Sequence, residues 1–298
     1  MNPRTLARLA GVLAALLAAA ALGRLLTRPG REPGLGPADL ASRVSRLEFS
    51  KGSDAWTFGR VGGRWRAETP VDYPADSGAL DGLLVKLAAT SLSETLSEDP
   101  ARREVFGLED AAAARWRAFG PAKEGLLDLR AGKDGPNHPS AFVLLGASPA
   151  VTEARGVSAF ELTRPGAAWL DLSLASATPS SVARLSVKHS KGGFALDRKN
   201  GVWPGSSRSA VEAAGGLKAD RAVLAASAPA RKEVGLDAPD MTVELFPAEK
   251  GAAPTTLRFG KIDSSGLRWA ERAGETRLYF LVSDWMLAPL RKSPKDFK

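Results

Sequence analysis

Cysteine is absent from this 298-residue chain, which excludes disulfides, zinc–thiolate sites, thiol nucleophiles and cysteine-linked lipid. Histidine is scarce: His138 lies in a proline-rich turn and His189 at a strand end before Ser190-Lys-Gly-Gly193. They are the two side chains able to titrate near neutrality without a large shift, they fall in different parts of the chain, and both read as solvent-exposed loop residues. No Gly-x-Ser-x-Gly elbow, His-x-x-x-His pair, P-loop or dinucleotide fingerprint occurs, and Gly34-Leu-Gly36 precedes no strand-to-helix turn. Glu109-Asp110 and Asp237 with Asp240 come nearest to a cation site. Ala111-Ala112 and Ala238-Pro239 supply no side-chain oxygens between them, so these acids read as turn formers rather than a calcium loop. No catalytic, cofactor-binding or metal-ligating residue is therefore assigned, no cofactor is expected, and the chain is not expected to be an enzyme.

The charge of +8 does not imply nucleic acid. Arg4, Arg8, Arg24, Arg28 and Arg31 all precede the first acid, Glu32, and without these five the 41 basic residues fall to 36 against 33 acids. A phosphate-tracking surface needs its cations on the folded domains. The local cluster there, Arg291-Lys-Ser-Pro-Lys-Asp-Phe-Lys298, reads as a solvated end.

Residues 9–23 form an uncharged Ala- and Leu-rich run that Leu25 and Leu26 prolong past Arg24. As a helix, residues 9–26 span roughly 27 Å at about 1.5 Å per residue, close to the bilayer's hydrocarbon core, with Arg24 able to snorkel. A cleavable signal with small residues at Ala19 and Ala21 is the competing reading. Because Leu22, Leu25 and Leu26 continue the apolar stretch beyond such a site, the expectation is an uncleaved anchor: 1–8 cytoplasmic, 9–26 transmembrane, 27–42 a flexible Pro- and Gly-containing linker, the remainder outside the cytoplasm.

The remainder repeats itself. Arg43-Val-Ser-Arg-Leu-Glu-Phe49 through Trp65 is echoed by Ser181-Val-Ala-Arg-Leu-Ser-Val187 through Trp203, with Leu47 to Leu185 and Trp65 to Trp203 both 138 positions apart. Val105-Phe-Gly-Leu-Glu109 is echoed by Glu233-Val-Gly-Leu-Asp237, and Leu144-Leu-Gly146 is matched to Arg258-Phe-Gly260. A repeat of this length is domain-sized, so two tandem units with two cores are expected, 43–175 and 181–298, with 176–180 as the joint.

Each unit opens with a hairpin, turning at Val61-Gly-Gly63 and at Asn200-Gly201, the latter a strong type I′ signal. Trp65 and Trp203 follow these turns and read as core or half-buried sheet residues rather than a carbohydrate platform. Leu80, Leu83, Leu84 and Leu87 form one helical stripe capped by Asp76 or Ser77. The second unit has a weaker version, 210–217 with 222–224, broken at Gly215-Gly216. Four later segments per unit read as strands: 127–129, 142–145, 160–162 and 169–172, answered by 243–245, 257–259, 267–269 and 278–282. The fold class is α+β: two tandem repeats, each a mainly antiparallel curved sheet with one principal helix on a face, preceded by one transmembrane helix.

At Trp65-Arg-Ala-Glu-Thr-Pro70, Tyr73-Pro-Ala-Asp76, the Leu-rich helix, Phe106-Gly-Leu108 and Leu278-Tyr-Phe-Leu-Val282, the chain resembles the bacterial domain of unknown function 4340 family, over about residues 43–298 in two copies. The resemblance implies one N-terminal membrane helix, an inner-membrane location, and company with permeases and auxiliary proteins of the gliding-motility type of ABC transporter. It supplies no catalytic residues. Copy two departs from the pattern at Pro204-Gly205 and in its glycine-interrupted helix. The expected function is a membrane-anchored extracytoplasmic binding or scaffold protein acting through sheet edges or the cleft between repeats, accessory to an ABC-type transport system, with no nucleic-acid partner. The alternative is a cell-envelope hydrolase with acids from both repeats meeting at their interface. A third possibility is binding of polyanion or lipid by the basic tail together with the anchor.

Overall fold

The computed structural model describes residues 34–190, 192–292 and 297. The expected anchor at 9–26 lies outside them, and among the described residues no helix is long and apolar enough to cross a membrane.

The first half contains β1 (Arg46–Lys51), β2 (Asp54–Val61), β3 (Arg64–Thr69), β4 (Tyr73–Pro74), β5 (Ser91–Leu92), β6 (Ala114–Phe119), β7 (Gly125–Asp134), β8 (Ser140–Leu145) and β9 (Thr152–Arg155). The second contains β10 (Val182–His189), β11 (Gly192–Asp197), β12 (Arg221–Leu224), β13 (Met241–Pro247), β14 (Thr255–Ile262), β15 (Leu267–Arg272) and β16 (Leu278–Ser283). They form two sheets, ordered β4-β3-β2-β1-β6-β7-β8-β9-β5 and β11-β10-β13-β14-β15-β16-β12. All their pairings are antiparallel. Without β3 and β4 the two orders correspond strand for strand, with Leu47 opposite Phe58 as Leu185 is opposite Leu196.

Local chemistry explains the elements. Gly62 and Gly63 turn the first hairpin at positive φ, and Asn200 (φ 51°) with Gly201 (φ 80°) turns the second. The helix Ser77–Ala89 starts where the Asp76 carboxylate accepts from the Ala79 N–H at 3.0 Å, while Ser77 Oγ instead accepts from the Trp65 N–H. Its four leucines are all buried, worth about 2 kcal/mol each. The second helix, Ser207–Gly215, stops at the two glycines, and 222–224 belongs to β12 rather than to a continued helix.

Several expectations need correction. Instead of one core per half, a single apolar cluster running from Leu35 to Phe297 takes in most buried apolar residues of both halves, with a small satellite around Phe106 and Leu144. The halves merge because the segment after Trp169 is bonded to the second half: Leu174 N–H to Leu217 O at 2.9 Å, Ala219 N–H to Leu172 O at 2.8 Å and Ala177 N–H to Gly215 O at 3.0 Å. The described part of the expected linker is packed too, with Leu35 and Leu40 buried and Gly34 bridged to Ser91. Residues 160–162 lie in a helix, Ala159–Thr163, and Gly166–Trp169 is a 3₁₀ turn; the strand that precedes β7 is β6. The third sequence echo is misregistered. In both halves the Gly-Leu turn holds a left-handed glycine, Gly107 or Gly235, against a second glycine on the neighbouring strand, Gly132 or Gly260. A Cβ at Gly132 would strike the Phe106 carbonyl, and one at Gly260 the Val234 carbonyl. Gly260 therefore answers Gly132, not Gly146. Finally, Phe297 is buried against Phe194, ring centroids 4.7 Å apart, so this residue of the tail is part of the fold.

Candidate functional site

A concavity lies where the halves join, a cavity of about 520 Å³ lined by Arg64, Trp65, Asp76, Ser77, Asp171 and Lys218 among others. The first hairpin supplies Arg64 and Arg66, the helix start supplies Asp76 and Ser77, and Lys218 arrives from the second half through its bridge to Ser173. Its walls are pinned by backbone bonds: Asp76 N–H to Trp169 O at 2.8 Å and Asp171 N–H to Pro74 O at 2.9 Å. Asp76 and Asp171 each spend one oxygen on a nearby backbone N–H, Ala79 and Ser173. Arg64 and Lys218 are exposed and have no carboxylate partner among the described residues. The arrangement offers two cationic donors and two partly satisfied carboxylates, suited to a polar ligand or chain segment bearing both acceptors and donors.

One rim is an arginine cluster that spans the halves. Arg66 donates to Asp72, which lowers the Asp72 carboxyl and raises the Arg66 guanidinium from their ordinary values. Arg277, paired with Glu275 at 2.7 Å, reaches the Asp72 carbonyl at 2.5 Å and lies 5.9 Å over the Tyr73 ring. Tyr73 also packs on Phe280, ring centroids 6.4 Å apart, and burial raises its phenol.

Elsewhere the carboxylates with shifted acidity move down. Burial pushes Glu153, 3% exposed, upward, but hydrogen bonds from Ser140, Asn137 and Arg155 outweigh it and hold the group at about 2. Burial likewise opposes, and Arg231 and Arg258 overcome, the shift of Glu271; Arg268 and Arg291 do the same for Asp284.

The residues singled out in sequence are not brought together. His138 is exposed before β8, and His189 is half-buried at the end of β10 with Nε2 lacking a described partner. Asp110 pairs with Arg130 at 2.8 Å, Asp237 with Arg231 at 2.6 Å and Asp240 with Arg268 at 2.7 Å. Among the described residues no cluster of three His, Cys, Asp or Glu could hold a metal. Trp65 and Trp203 are buried, their indoles donating to Asp81 and to the Pro179 carbonyl.

Sequence reasoning missed Phe160 and Trp285. Each is the second residue of the helical turn after its half's last meander strand, each is followed two residues on by a buried leucine, Leu162 or Leu287, and they are 78% and 75% exposed. The shared spacing of aromatic and leucine is the signal that could have found them.

Fold and site together define an α+β protein of two antiparallel sheets sharing one core, with a cleft of mixed polar and apolar lining at their junction. The chain belongs to the family described as domain of unknown function (DUF4340), whose model matches residues 65–213. The match is a single span that starts in β3 and ends in the second half's helix, so it does not mark two copies of the family. No curated protein and no solved structure matches the chain significantly.

Proposed function

We propose that this chain is a membrane-anchored protein of the bacterial cell envelope, held in the inner membrane by residues 9–26 with its two repeats outside the cytoplasm. It binds or scaffolds rather than catalyses, as an accessory of an ABC-type transport system. The observation that carries the binding reading is the equivalent pair of exposed aromatics, Phe160 and Trp285, since rigid aromatic side chains are the anchors that interfaces use most. The downward shifts of the buried carboxylates favour the same reading, because a general acid needs its acidity weakened.

The test is affinity purification of full-length, C-terminally tagged protein from native membranes in mild detergent. Permease and ATPase subunits should be retained at comparable abundance, and a double Phe160→Ser, Trp285→Ser variant should retain at least fivefold less. Recovery of the protein alone removes the transporter partner. The second reading, an envelope hydrolase, draws on the cleft's grouping of Asp76, Asp171 and Lys218. It requires peptide or glycan cleavage that Asp171→Asn abolishes.

A further inference from the structure

The first sheet continues past β2 to β3 and β4, whereas the second ends at β11. Both hairpins begin alike: Val61 pairs with Arg64 as Lys199 pairs with Val202, each at the turn. They then diverge at one residue. After Trp65 the chain runs on as Arg66-Ala-Glu-Thr69, but after Trp203 comes Pro204, which has no N–H to donate, and the chain turns into the helix Ser207–Gly215. Among the described residues no strand therefore covers β11 on its outer side.

The exposed edge can be read residue by residue. Arg198 N–H bonds Ala183 O on the β10 side, and Lys199 N–H bonds Val202 O on the outer side. Alternation then directs the backbone groups of Gly193, Ala195 and Asp197 outward, and among the described residues they have no ladder partner. All three residues are exposed, while Phe194 and Leu196 point into the core. The other sheet termini are blunted: β4 is two residues long and ends in Pro74, β5 is two residues and bridged nearby by Gly34, and β12 packs under the turn Gly166–Trp169. β11 has six residues with neither proline nor lysine, the devices that normally protect an edge.

We infer that β11 is a docking edge that accepts an extended, acidic segment of another polypeptide as an antiparallel strand, in the place β3 takes in the first half. The acidity follows from the surroundings. Lys188 and Lys199 are exposed near opposite ends of β11 without ion-pair partners among the described residues, and Arg198 adjoins Lys199; of the acids on that face Asp197 is paired with Arg184, and Glu244 lies two strands in, opposite Ser186. A second copy of this chain would bring the same cations against each other, which disfavours self-pairing. The inference rests on the binding-module reading in taking the partner to be a polypeptide.

The probe is a labelled decapeptide of alternating valine and glutamate, titrated against full-length protein in nanodiscs. Ala195→Pro removes an outward N–H without touching the β10 ladder, so the fold is kept and the edge is blocked. Lys188→Glu with Lys199→Glu is the second variant. The expected result is saturable binding, at least tenfold weaker for a valine–lysine decapeptide and for either variant, with amide exchange at Ala195 and Asp197 slowed by the acidic peptide. Absence of binding, or equal binding to wild type and both variants, overturns the inference. So does a wild-type dimer that Ala195→Pro turns monomeric by light scattering, since the occupant is then a second copy. Transporter subunits that stay bound to a peptide-blind Ala195→Pro variant place the partner elsewhere and leave the binding module standing. Peptide binding without transporter subunits leaves the edge standing and removes the transporter.

Discussion

Beneath the same Gly-Leu turn the two halves use opposite chemistry. In the first, Leu144 sits in a satellite cluster with Phe106, Leu108, Ala113 and Val151, and Phe142 packs edge-on to Phe106 at 4.9 Å. In the second, the equivalent place on β15 holds Glu271, clamped by Arg231 at 2.6 Å and Arg258 at 2.7 Å. The positive-φ glycine, the partner glycine and the turn bond survive in both, Leu108 N–H to Arg103 O at 2.9 Å and Leu236 N–H to Arg231 O at 3.0 Å. Backbone geometry is thus the invariant, and either apolar packing or a satisfied ion cluster can support it. The main core shows the same latitude. Phe49 on Trp116, centroids 4.9 Å apart, occupies the strand positions that Val187 and Val243 fill in the second half.

The comparison can be broken most severely at Glu153. Its counterpart on β16 is Leu281, yet Glu153→Leu would leave the buried Ser140 hydroxyl without its acceptor and take the shared carboxylate from Asn137 and Arg155, which are exposed. We expect a loss of about 4 kcal/mol in urea denaturation. Because the folded carboxyl sits near 2 rather than its ordinary 4.5, its contribution is fully present above pH 4.5 and disappears as pH falls from 4.5 toward 2. The variant should flatten the wild type's loss of stability across that window, and parallel acid dependence in both proteins would refute the assignment. Next comes Glu271→Leu, about 3 kcal/mol, less because both of its partners reach water, whereas the Ser140 hydroxyl beside Glu153 does not. The reciprocal Leu144→Glu should cost less than a buried carboxylate ordinarily does, since Arg103 and Arg130 stand where Arg231 and Arg258 stand. A loss as large as that of Leu144→Asp would show that the halves are not interchangeable there. Gly132→Ala and Gly260→Ala should each cost about 2 kcal/mol and agree with one another, because each new methyl meets the same carbonyl. A marked inequality would mean that one turn yields and the other does not. Asn200→Ala should be mildest, about 1 kcal/mol for a positive φ at a hairpin tip, measured by thermal melting.

Much of the fold was legible because its signals are local. Asn200-Gly201 and the Leu80–Leu87 stripe each sit within a few residues and match the structure, and of the two expected caps, Asp76 or Ser77, Asp76 is the one in place. β6 escaped because its core positions are Ala114, Trp116 and Ala118; alanines hide an alternation that larger side chains would announce. The misaligned glycine had the same origin, since a local Leu-Leu-Gly resembles Arg-Phe-Gly while the true equivalence depends on what lies across the turn. A cleft between the repeats was expected, but the single core and the residues that line the cleft were beyond reach, because Asp171 and Lys218 come together only once the segment after Trp169 has bonded to residues 215–219. Phe160 was misread as part of a strand, and the short turn that displays it carries too few residues for periodicity to decide.

That bonded segment makes the covalent joint redundant. The chain between Thr178 and Ser181 carries a turn, but the connection between the halves is made before it, by hydrogen bonds and a shared apolar cluster. The molecule is in this respect already a split protein: separately encoded pieces cut at Ser180 should reassemble on co-expression into one particle, and a protease nick there should go unnoticed until the chain is denatured.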